Sequence, residues 1–589
     1  MDQRQKWKHK IDFFFNVAGM TIGLGNIWRF PYLCYKNGGG VFLIPYIIAV
    51  MVIGFPLFFL ETSFGQYVGK GMTKAWALIP LAKGIGYANA MITWYGNGLY
   101  GVVLAWACRY FVASFSRELP WTSCNNSWNT DNCIGLFNEM KSVNMSFDDS
   151  LSNASDTNFL KQKSAAVEYW EHNILRVSSG IDDVGKMNWE MFFYLLCLWV
   201  VAYLCIFQGI KWSTKVVYVT ATVPIVMLLV ILVRGVTLDG ASDGLMFYLN
   251  PNITRLADAQ VWMDAVTQVY YSYGVGSGAL VTLASYNNFN HNIYRDAIMV
   301  AIVNSGTSFL AGFAVFSTLG FMAKEQNISI NAVAESGPGL VFIAYPQALS
   351  LMPLPQFWNA LFFLMILFLG FDCLFVFQEC LVVSVMDFFP WWYTKRWGRA
   401  VIQAAFVILI FAMACSMITE GGIYVFLLLN DYAGAGWCLF FIGTFEFLAI
   451  SWLYGADRFC NHVRTMLGTD AKFYFMTMCW KYLGPMVSLG ILVYWLSLYE
   501  PLVYNKTYVY PVWAQIIGWC LGLSSCLWIP LYASYRYLTT QGNLIQRLRN
   551  LLTVQTLTKQ DPKPYKVSVI KVGLCEEKAV KYQNYPIQL

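Results

Sequence analysis

The chain alternates between long apolar runs and shorter polar segments from Phe13 to Tyr532. A helix needs about 20 residues to cross the hydrocarbon core of a bilayer, and these runs are close to that length or longer. The pattern therefore predicts an all-α membrane protein with twelve transmembrane helices, at 11–35, 41–67, 87–115, 190–207, 215–238, 259–285, 294–322, 355–388, 400–417, 423–453, 473–498 and 511–537. They form one domain over 11–537, between an N-terminal segment, 1–10, and a C-terminal tail, 538–589.

Two of these spans contain grouped glycines in their middle. Span one carries the sequence GLGN at 23–26, and span six carries SYGVGSG at 272–278. Glycine weakens a helix by about 1 kcal/mol per residue, and an opened helix exposes N–H and C=O groups that lipid cannot satisfy. Such breaks are typical of transporter binding sites, and their spacing of five spans indicates two five-helix repeats of inverted topology.

The glycines alone would also suit close packing of neighbouring helices. The polar groups beside both breaks favour a binding site instead, since polar side chains at membrane depth are costly and usually functional. They are Asn26 and Arg29 in span one, and Gln268 and Ser272 in span six.

Composition and charge agree with a membrane protein. The chain is 57% hydrophobic and 12% charged, whereas soluble domains carry about 25% charged residues. Basic side chains concentrate in the N-terminal segment and the even-numbered loops, which predicts that both termini are cytoplasmic in a multi-pass protein of the plasma membrane. These side chains are Arg4, Lys6, Lys8, Lys10, Lys70, Lys74, Lys211, Lys215, Arg295, Lys395, Arg396, Arg399, Arg458 and Arg464. Cytoplasmic loops thus account for the net charge of +6, and no nucleic-acid partner is expected.

The loops on the opposite side have the features of an extracellular surface. The segment 116–189 is polar and acidic. Six N-x-S/T sequons lie on this side and predict glycosylation, at Asn125, Asn144, Asn153, Asn252, Asn327 and Asn505. Cys124 and Cys133 lie in the same oxidising compartment, where we expect them to form a disulfide. In the tail, 544–552 is an amphipathic stretch that suits either the inner membrane surface or a solvated helix.

Several polar side chains lie within apolar spans. Asp372 is mid-span and requires a bound cation, a proton or a structural partner, because an unpaired carboxylate there costs several kcal/mol. Asn304 and Ser308 lie one turn apart on one face of span seven, where either ligand binding or interhelical hydrogen bonding would explain them. Neither a nucleophile–base pair nor a metal cluster stands out, so the sequence does not predict an enzyme.

The segments 23–32, GLGNIWRFPY, and 37–40, NGGG, resemble the first-span signature of the neurotransmitter:sodium symporters, solute carrier family six. The resemblance runs from about Arg4 to Leu552 and includes CNNSWNT at 124–130. Within the family, CYKN at 34–37 and ASYN at 284–287 are similar to the animal carriers of GABA, betaine, taurine, glycine and proline. The resemblance implies sodium- and chloride-dependent import of a small zwitterionic amino acid or derivative by alternating access.

The resemblance implies two sodium sites. The first would combine the substrate carboxylate with the Thr21 carbonyl and the side chains of Asn26, Ser272 and Asn304. The second would use the carbonyls of Gly19, Ile22 and Leu369 with Asp372 and Cys373. The family usually has serine at position 373, and a thiol is a poorer ligand than oxygen for a hard cation. The affinity or stoichiometry of sodium at this site is therefore open.

Chloride would be held by neutral hydrogen-bonding groups, namely Tyr46, Gln268, Ser272, Asn304 and Ser308. The family's monoamine carriers have an aspartate where this chain has Gly23, so the resemblance implies a substrate that brings its own carboxylate. Tyr100 and the amides near Leu24 and Gly25 would bind that carboxylate. The remaining pocket residues would be Gly96, Tyr271, Gly274, Gly276, Ser277, Cys373 and Phe377. Taken singly, Tyr46 and Tyr100 would also suit ordinary packing.

The resemblance also implies gates on both sides of the pocket. On the outer side Arg29 would pair with Asp431 or hydrogen-bond to Asn430, which stands at the family's usual acid position. On the inner side Arg4 would pair with Asp387, and Tyr286 with Glu379, although Arg4 also suits simple cytoplasmic charge. Because positions 373 and 430 are altered, a transport-deficient receptor of the same fold is the alternative. The expected partners are the substrate and the lipid bilayer, and a homo-oligomer is possible.

Overall fold

The computed structural model describes residues 5–136, 163–326, 330, 339–434, 436–469, 473–505 and 508–552. The principal helices are α1 Lys10–Thr21, α2 Phe30–Lys36, α3 Gly39–Val68, α4 Gly84–Ala113, α5 Trp189–Ile206, α6 Ile210–Val236, α7 Ala241–Leu249, α8 Ala259–Tyr273, α9 Ala279–Ala284 and α10 Ile293–Glu325. They continue with α11 Leu340–Ser350, α12 Pro355–Phe388, α13 Gly398–Cys415, α14 Gly422–Leu429, α15 Trp437–Leu448, α16 Ala456–Leu467, α17 Tyr474–Ser497, α18 Val512–Cys526, α19 Trp528–Thr539 and α20 Leu544–Leu551.

Shorter elements join these helices. Single turns lie at Met72–Ala75, Trp76–Leu78, Pro80–Ala82, Ala165–Glu168, Ile253–Ala257 and Pro390–Tyr393, and π-helical turns lie at Gly25–Arg29, Tyr169–Leu175, Asn430–Gly434 and Ala449–Gly455. Two pairs of two-residue strands complete the described chain: β1 Cys133–Ile134 pairs in parallel with β2 Lys163–Ser164, and β3 Val503–Tyr504 pairs antiparallel with β4 Tyr508–Val509.

Within the described residues, eight helical stretches are long and apolar enough to cross a membrane, and nine if the bent pair α18 and α19 is one span. These stretches support the predicted class, an all-α membrane protein. Predicted spans one, three and six are not among them. Spans one and six are interrupted, whereas span three is the 30-residue helix α4, whose buried face includes Asn89, Thr93 and Asn97. The count of twelve and the inverted repeats remain predictions.

Both predicted interruptions occur, and their physical causes differ. In span one, α1 ends at Thr21 and the chain leaves helical geometry at Ile22, with φ −83° and ψ 78°. Leu24 is already helical, so the break covers Ile22 and Gly23, which is shorter than the predicted 23–26 and begins one residue earlier. In span six, Gly274, Gly276 and Gly278 have φ of +63°, +78° and +73°, a region that residues with a Cβ rarely adopt. Alternating glycines therefore fix the break between α8 and α9.

Candidate functional site

The two interrupted spans lie against each other. The Gln268 side-chain amide on α8 donates to the Gly25 carbonyl at 2.8 Å, and Arg29 donates to the Thr267 carbonyl at 3.3 Å. A Cβ on Gly25 would lie 3.5 Å from the Tyr271 ring. The two interrupted spans are thus joined by side chains of each span that donate to backbone carbonyls of the other.

A buried cluster of neutral side chains lies beside these breaks, and we call Asn26, Ser272, Asn304 and Ser308 the amide cluster. The Asn26 amide nitrogen lies 2.6 Å from Asn304 Oδ1 and 2.9 Å from Ser308 Oγ, and the Asn304 amide donates to Ser272 Oγ at 3.0 Å. Four residues predicted for sodium or chloride are therefore in mutual contact. None of them is charged, so either a small cation or a small anion could bind by exchanging these hydrogen bonds.

Three other residues predicted for the ions have different contacts. The Tyr46 hydroxyl lies 3.4 Å from Ser305 Oγ. The Thr21 hydroxyl donates back to the Val17 carbonyl at 3.0 Å, and the coordination of sodium by the Thr21 backbone carbonyl stays a prediction. Gln268 is held by the Gly25 carbonyl, as described above.

Asp372 on α12 is 1% exposed, and its two oxygens have different surroundings. The Thr220 hydroxyl on α6 donates to Oδ1. Oδ2 has no hydrogen-bond partner within the described chain, and a Cβ on Gly19 would lie 2.6 Å from it. A buried carboxylate oxygen facing the open end of α1 fits a hard cation, which the free carbonyls of that end would also coordinate.

The neighbouring Cys373 does not join Asp372 in an obvious ligand set. Its thiol donates to the Met20 carbonyl at 3.3 Å, and its sulfur lies 3.0 Å from the position of a Cβ on Gly23. The same Gly23 position is 3.8 Å from the Tyr100 hydroxyl. Gly23 therefore keeps a small space open between a thiol and a phenol, and any larger side chain would fill it.

A cavity of ≈ 470 Å³ extends from this region toward the end of the molecule that carries Glu500 and Asp431. Leu24, Gly25, Tyr100 and Tyr271 line it, as the sequence predicts for the pocket. Beside it, a Cβ on Gly96 would lie 3.5 Å from the Phe377 ring, which meets the Tyr100 ring edge-on with centroids 5.8 Å apart. These residues bring an aromatic wall, a hydroxyl and open space together.

The predicted pocket residues of the second break do not line this cavity. A Cβ on Gly274 would lie 2.5 Å from Met20 Cε, and the Ser277 hydroxyl donates to the Gly274 carbonyl at 2.6 Å. The Gly276 N–H donates to Glu61 Oε1 at 2.7 Å. In this state these residues stabilise the break itself, with their polar groups already engaged by protein.

Glu61 and Glu446 were missed by the sequence reasoning, although both are acids inside apolar runs and so carry the same signal as Asp372. Both are fully buried, and Glu446 Oε1 accepts from the Asn89 amide at 3.0 Å. Asn89 lies beside the second break, since a Cβ on Gly278 would be 2.7 Å from its nitrogen. Acidic side chains from α3 and α15 therefore hydrogen-bond to the backbone of this break and to the neighbouring Asn89.

The cavity opens at the end of the molecule that carries Glu500. Asn505, close to Glu500 in the chain, donates to Glu171 at 3.1 Å, and Glu171 forms an ion pair with Lys163, the strand partner of Cys133. We therefore call this end the disulfide end. Here the Arg29 guanidinium lies 4.8 Å from the Tyr271 ring centroid. Within the described residues Arg29 forms no ion pair, and the Asn430 amide donates to Asp431 at 3.1 Å. Neither predicted partner of Arg29 is in contact with it in this state.

The opposite end, which we call the N-terminal end, is closely packed. The Trp7 indole donates to the Leu283 carbonyl at 3.2 Å, and Lys6 donates to the Asn287 carbonyl at 2.6 Å. Tyr286 donates to Glu379 as predicted, and Arg399 forms an ion pair with the same carboxylate. The sequence alone does not predict that partner, because a basic residue after a membrane span is expected simply as cytoplasmic charge.

The other inner gate lies partly outside the described residues, since Arg4 is not among them. Asp387 accepts from the Gly71 N–H at 2.7 Å and from the Tyr393 hydroxyl at 3.1 Å. An ion pair of Arg4 with Asp387 therefore stays a prediction.

The surface of the disulfide end confirms the predicted link between Cys124 and Cys133, whose Cα atoms are 5.8 Å apart. The sequon residues Asn125 and Asn252 are exposed, whereas Asn144, Asn153 and Asn327 lie outside the described residues. Glu168 is buried beneath this loop. Burial by itself raises its pKa, but hydrogen bonds from Thr130 and Asn129 outweigh that effect and hold the pKa of Glu168 below its usual range.

Comparison with known proteins places the chain in a family. The family model described as the sodium:neurotransmitter symporter family matches residues 4–540. The sodium- and chloride-dependent creatine transporter 1 of Mus musculus is 46% identical over 548 residues, which is 93% of this chain and 86% of the mouse protein. The sodium- and chloride-dependent GABA transporter 2 of Rattus norvegicus is 46% identical over 551 residues, 93% of this chain and 89% of the rat protein. The chain belongs to the sodium:neurotransmitter symporter family, whose members are transporters and not enzymes.

Proposed function

We propose that this protein couples sodium and chloride gradients to the import of a small zwitterionic solute that carries its own carboxylate, such as GABA, creatine, glycine, proline or betaine, or a sulfonate, as in taurine. The observation that carries the proposal is the free Oδ2 of Asp372, buried at membrane depth and facing the open end of α1. An ionised oxygen in that position requires a cation, and sodium satisfies it reversibly. The relatives named above are sodium- and chloride-dependent carriers of creatine and of GABA, which supports the same assignment.

Two sodium ions would occupy different surroundings. The first would enter beside the amide cluster and coordinate the Thr21 carbonyl with Asn26, Ser272 and Asn304. The second would bind Asp372 and the carbonyls of Gly19, Ile22 and Leu369. Cys373 contributes little to the second ion, because its thiol is already bonded to the Met20 carbonyl and sulfur is a poor ligand for sodium.

Chloride would bind on the far side of the amide cluster, among Tyr46, Gln268, Ser272, Asn304 and Ser308. These side chains offer hydroxyl and amide donors and no negative charge, which suits an anion. The anion would offset part of the sodium charge in the low-dielectric interior.

The substrate carboxylate would lie where Gly23 leaves space, against the Tyr100 hydroxyl and the amides near Leu24 and Gly25. Its other end would extend along Tyr271 and Phe377 past Gly96. The protein works by alternating access: the described state is open at the disulfide end, and substrate closes that end before the N-terminal end opens. Twelve spans in the plasma membrane with both termini cytoplasmic complete this proposal, and a homo-oligomer is compatible with it.

Uptake of radiolabelled GABA, creatine, glycine, proline, betaine and taurine into cells that express the protein tests the proposal. One of these substrates should accumulate in a saturable manner, and replacing sodium by choline or chloride by gluconate should each abolish most of the uptake. Accumulation that persists in gluconate would refute chloride coupling. Surface-expressed protein that transports none of these solutes would refute the proposed substrate class.

A further inference from the structure

Thr220 on α6 is a buried hydroxyl whose partner belongs to the proposed sodium site. It is 6% exposed, and it donates to Asp372 Oδ1 across the interface between α6 and α12. Its only other acceptor within the described residues is the Val216 carbonyl one turn earlier, at 3.2 Å. A hydroxyl has a single hydrogen, and a bond to a carboxylate is stronger than one to a neutral carbonyl. The hydrogen of the Thr220 hydroxyl is therefore donated to Asp372 and not to the Val216 carbonyl.

This bond determines how the carboxylate is turned. A carboxylate has two equivalent oxygens, and rotation about the Cβ–Cγ bond would exchange them. With Oδ1 held on α6, Oδ2 faces Gly19 and has no protein partner within the described residues. The free oxygen is thus directed toward the open end of α1, rather than toward a protein donor.

The neighbouring residue makes this orientation more important in this chain. The Cys373 thiol points to the Met20 carbonyl at 3.3 Å, so the adjacent side chain of α12 supplies no oxygen. Asp372 Oδ2 is then the side-chain oxygen that α12 directs toward the open end of α1. A ligand set that lacks a hydroxyl depends more strongly on the direction of its remaining anionic oxygen.

We propose that Thr220 is a positioning residue for sodium: by binding one oxygen of Asp372, it presents the other oxygen to the cation. The inference rests on the proposed function, which assigns a sodium ion to Asp372. Thr220 itself does not touch the ion. It acts through the carboxylate, as outer-shell hydrogen bonds do at other cation sites.

The test compares Thr220→Val, which keeps the shape and removes the hydroxyl, with Thr220→Ser, which keeps the hydroxyl. Thr222→Val is the matched control, because Thr222 is an exposed residue of the same helix whose hydroxyl bonds back to the Tyr218 carbonyl at 2.6 Å. Two quantities are measured for each variant. One is the sodium concentration that gives half-maximal uptake, and the other is the sodium concentration that gives half-maximal thermal stabilisation of the purified, substrate-free protein.

Loss of one hydrogen bond to the carboxylate should raise both sodium concentrations about tenfold in Thr220→Val. Thr220→Ser should stay within about twofold of the parent, as should Thr222→Val, because both leave the bond to Asp372 in place. If Thr220→Val does not reach the membrane, Thr220→Ala replaces it, with the same expected shift. Unchanged sodium concentrations with a lower maximal uptake would overturn the inference, since that pattern reports only folding or turnover.

Asp372→Asn separates this inference from the proposed function. If Asp372→Asn keeps the parent's sodium concentrations for half-maximal uptake and half-maximal stabilisation, the assignment of sodium to Asp372 is wrong. If Asp372→Asn raises both concentrations by about tenfold or more while Thr220→Val equals the parent, the sodium site stands and only the role of Thr220 is refuted.

Discussion

The two ends of the cavity between α1, α4, α8 and α12 are built differently. At the disulfide end a cavity of ≈ 470 Å³ reaches Tyr100 and Tyr271, and the neighbours of Arg29 are an aromatic ring, the Thr267 carbonyl and the Gln268 side chain. At the N-terminal end the corresponding space is filled by Trp7, with an ion pair between Arg399 and Glu379 beside it.

This difference shows which contacts determine the state of the molecule. Among the described residues Arg29 forms no ion pair with Asp431, so closing the disulfide end would form a contact that this state lacks. The N-terminal end has already formed its contacts, and they must break before a solute can leave there. A transporter of this kind changes state only as far as its ligands favour one set of contacts over the other.

Removing Arg399 should have the largest effect on this asymmetry. Among the described residues, Arg399→Ala leaves the buried Glu379 with the Tyr286 hydroxyl as its hydrogen-bond partner, and breaking one partner of a buried ion pair costs about 3–5 kcal/mol. The N-terminal end should then open, and uptake should fall sharply. The measurement is the rate at which Ser285→Cys, placed in the closed region, reacts with a polar thiol reagent in inside-out vesicles.

Arg396→Ala is the control for this measurement, because Arg396 is an exposed neighbour whose guanidinium lies over the Trp397 ring at 5.7 Å. It should leave the reaction rate unchanged. Equal rates for Arg399→Ala and the parent would show that the ion pair does not hold this end closed.

Trp7 should contribute a similar amount or slightly less, through packing and not through charge. Trp7→Ala removes a ring that is 9% exposed and meets Tyr286 edge-on at 5.4 Å, and large-to-small changes of this kind cost about 3 kcal/mol or more. Trp7→Phe keeps a ring but loses the bond to the Leu283 carbonyl, which is worth about 1 kcal/mol. The same Ser285→Cys assay should therefore rank the parent, Trp7→Phe and Trp7→Ala from slowest to fastest. A Trp7→Ala rate equal to that of the parent would contradict a sealing role.

The sequence predicted the two broken spans because their causes are local. Three alternating glycines in seven residues require an irregular backbone, and the structure has all three at positive φ. The amide cluster and the disulfide were likewise predictable, the first from the resemblance to a family and the second from the position of two cysteines in an outer loop. The break in span one was predicted slightly too far along the chain, because Gly25 and Asn26 already belong to a helical turn.

The partners of charged side chains were not predictable in the same way. Arg399 follows a membrane span, where positive charge is expected for topological reasons, and nothing local indicates that it pairs with Glu379 one helix earlier. Glu61 is an intramembrane acid, but its partner is the N–H of Gly276, which is 215 residues away. Thr220 is one of several threonines on α6, and only tertiary packing distinguishes it from Thr222.

At the disulfide end a smaller effect is expected from a new acid. Asn430→Asp adds a carboxylate at the position that the family resemblance predicts for the outer gate, beside Asp431 in the cavity that Arg29 also lines. Exposed or partly exposed ion pairs are worth about 1 kcal/mol or less, so closure of this end should be favoured by a factor of about five at most. Leu427→Cys, in the cavity wall, should react correspondingly more slowly with a polar thiol reagent added from this side.

The control variant is Asn430→Gln, which lengthens the side chain without charge and should not slow the reaction. High salt should reduce the effect of Asn430→Asp, because salt screens ion pairs near the surface. Slowing of the same size in both variants would identify bulk rather than charge as the cause.

The smallest effect concerns the rim of the disulfide end, which is held in place although the cavity inside it is open. Glu168 accepts hydrogen bonds at 3.0 Å from the Asn129 amide and the Thr130 N–H, and its folded pKa lies below the usual 4.5. A lowered folded pKa stabilises the folded loop fully above pH 4.5, and this contribution is lost as the pH falls through the folded pKa.

Proteolysis of the loop around Cys124 and Cys133 by an acid-active protease should therefore accelerate below pH 4.5 in the parent. In Glu168→Gln cleavage should already be faster at pH 5 and change little with further acidification, because glutamine has no proton to gain. A parent whose cleavage rate stays flat over this range would mean that the disulfide and the strand pair β1–β2 hold the rim without help from the Glu168 carboxylate.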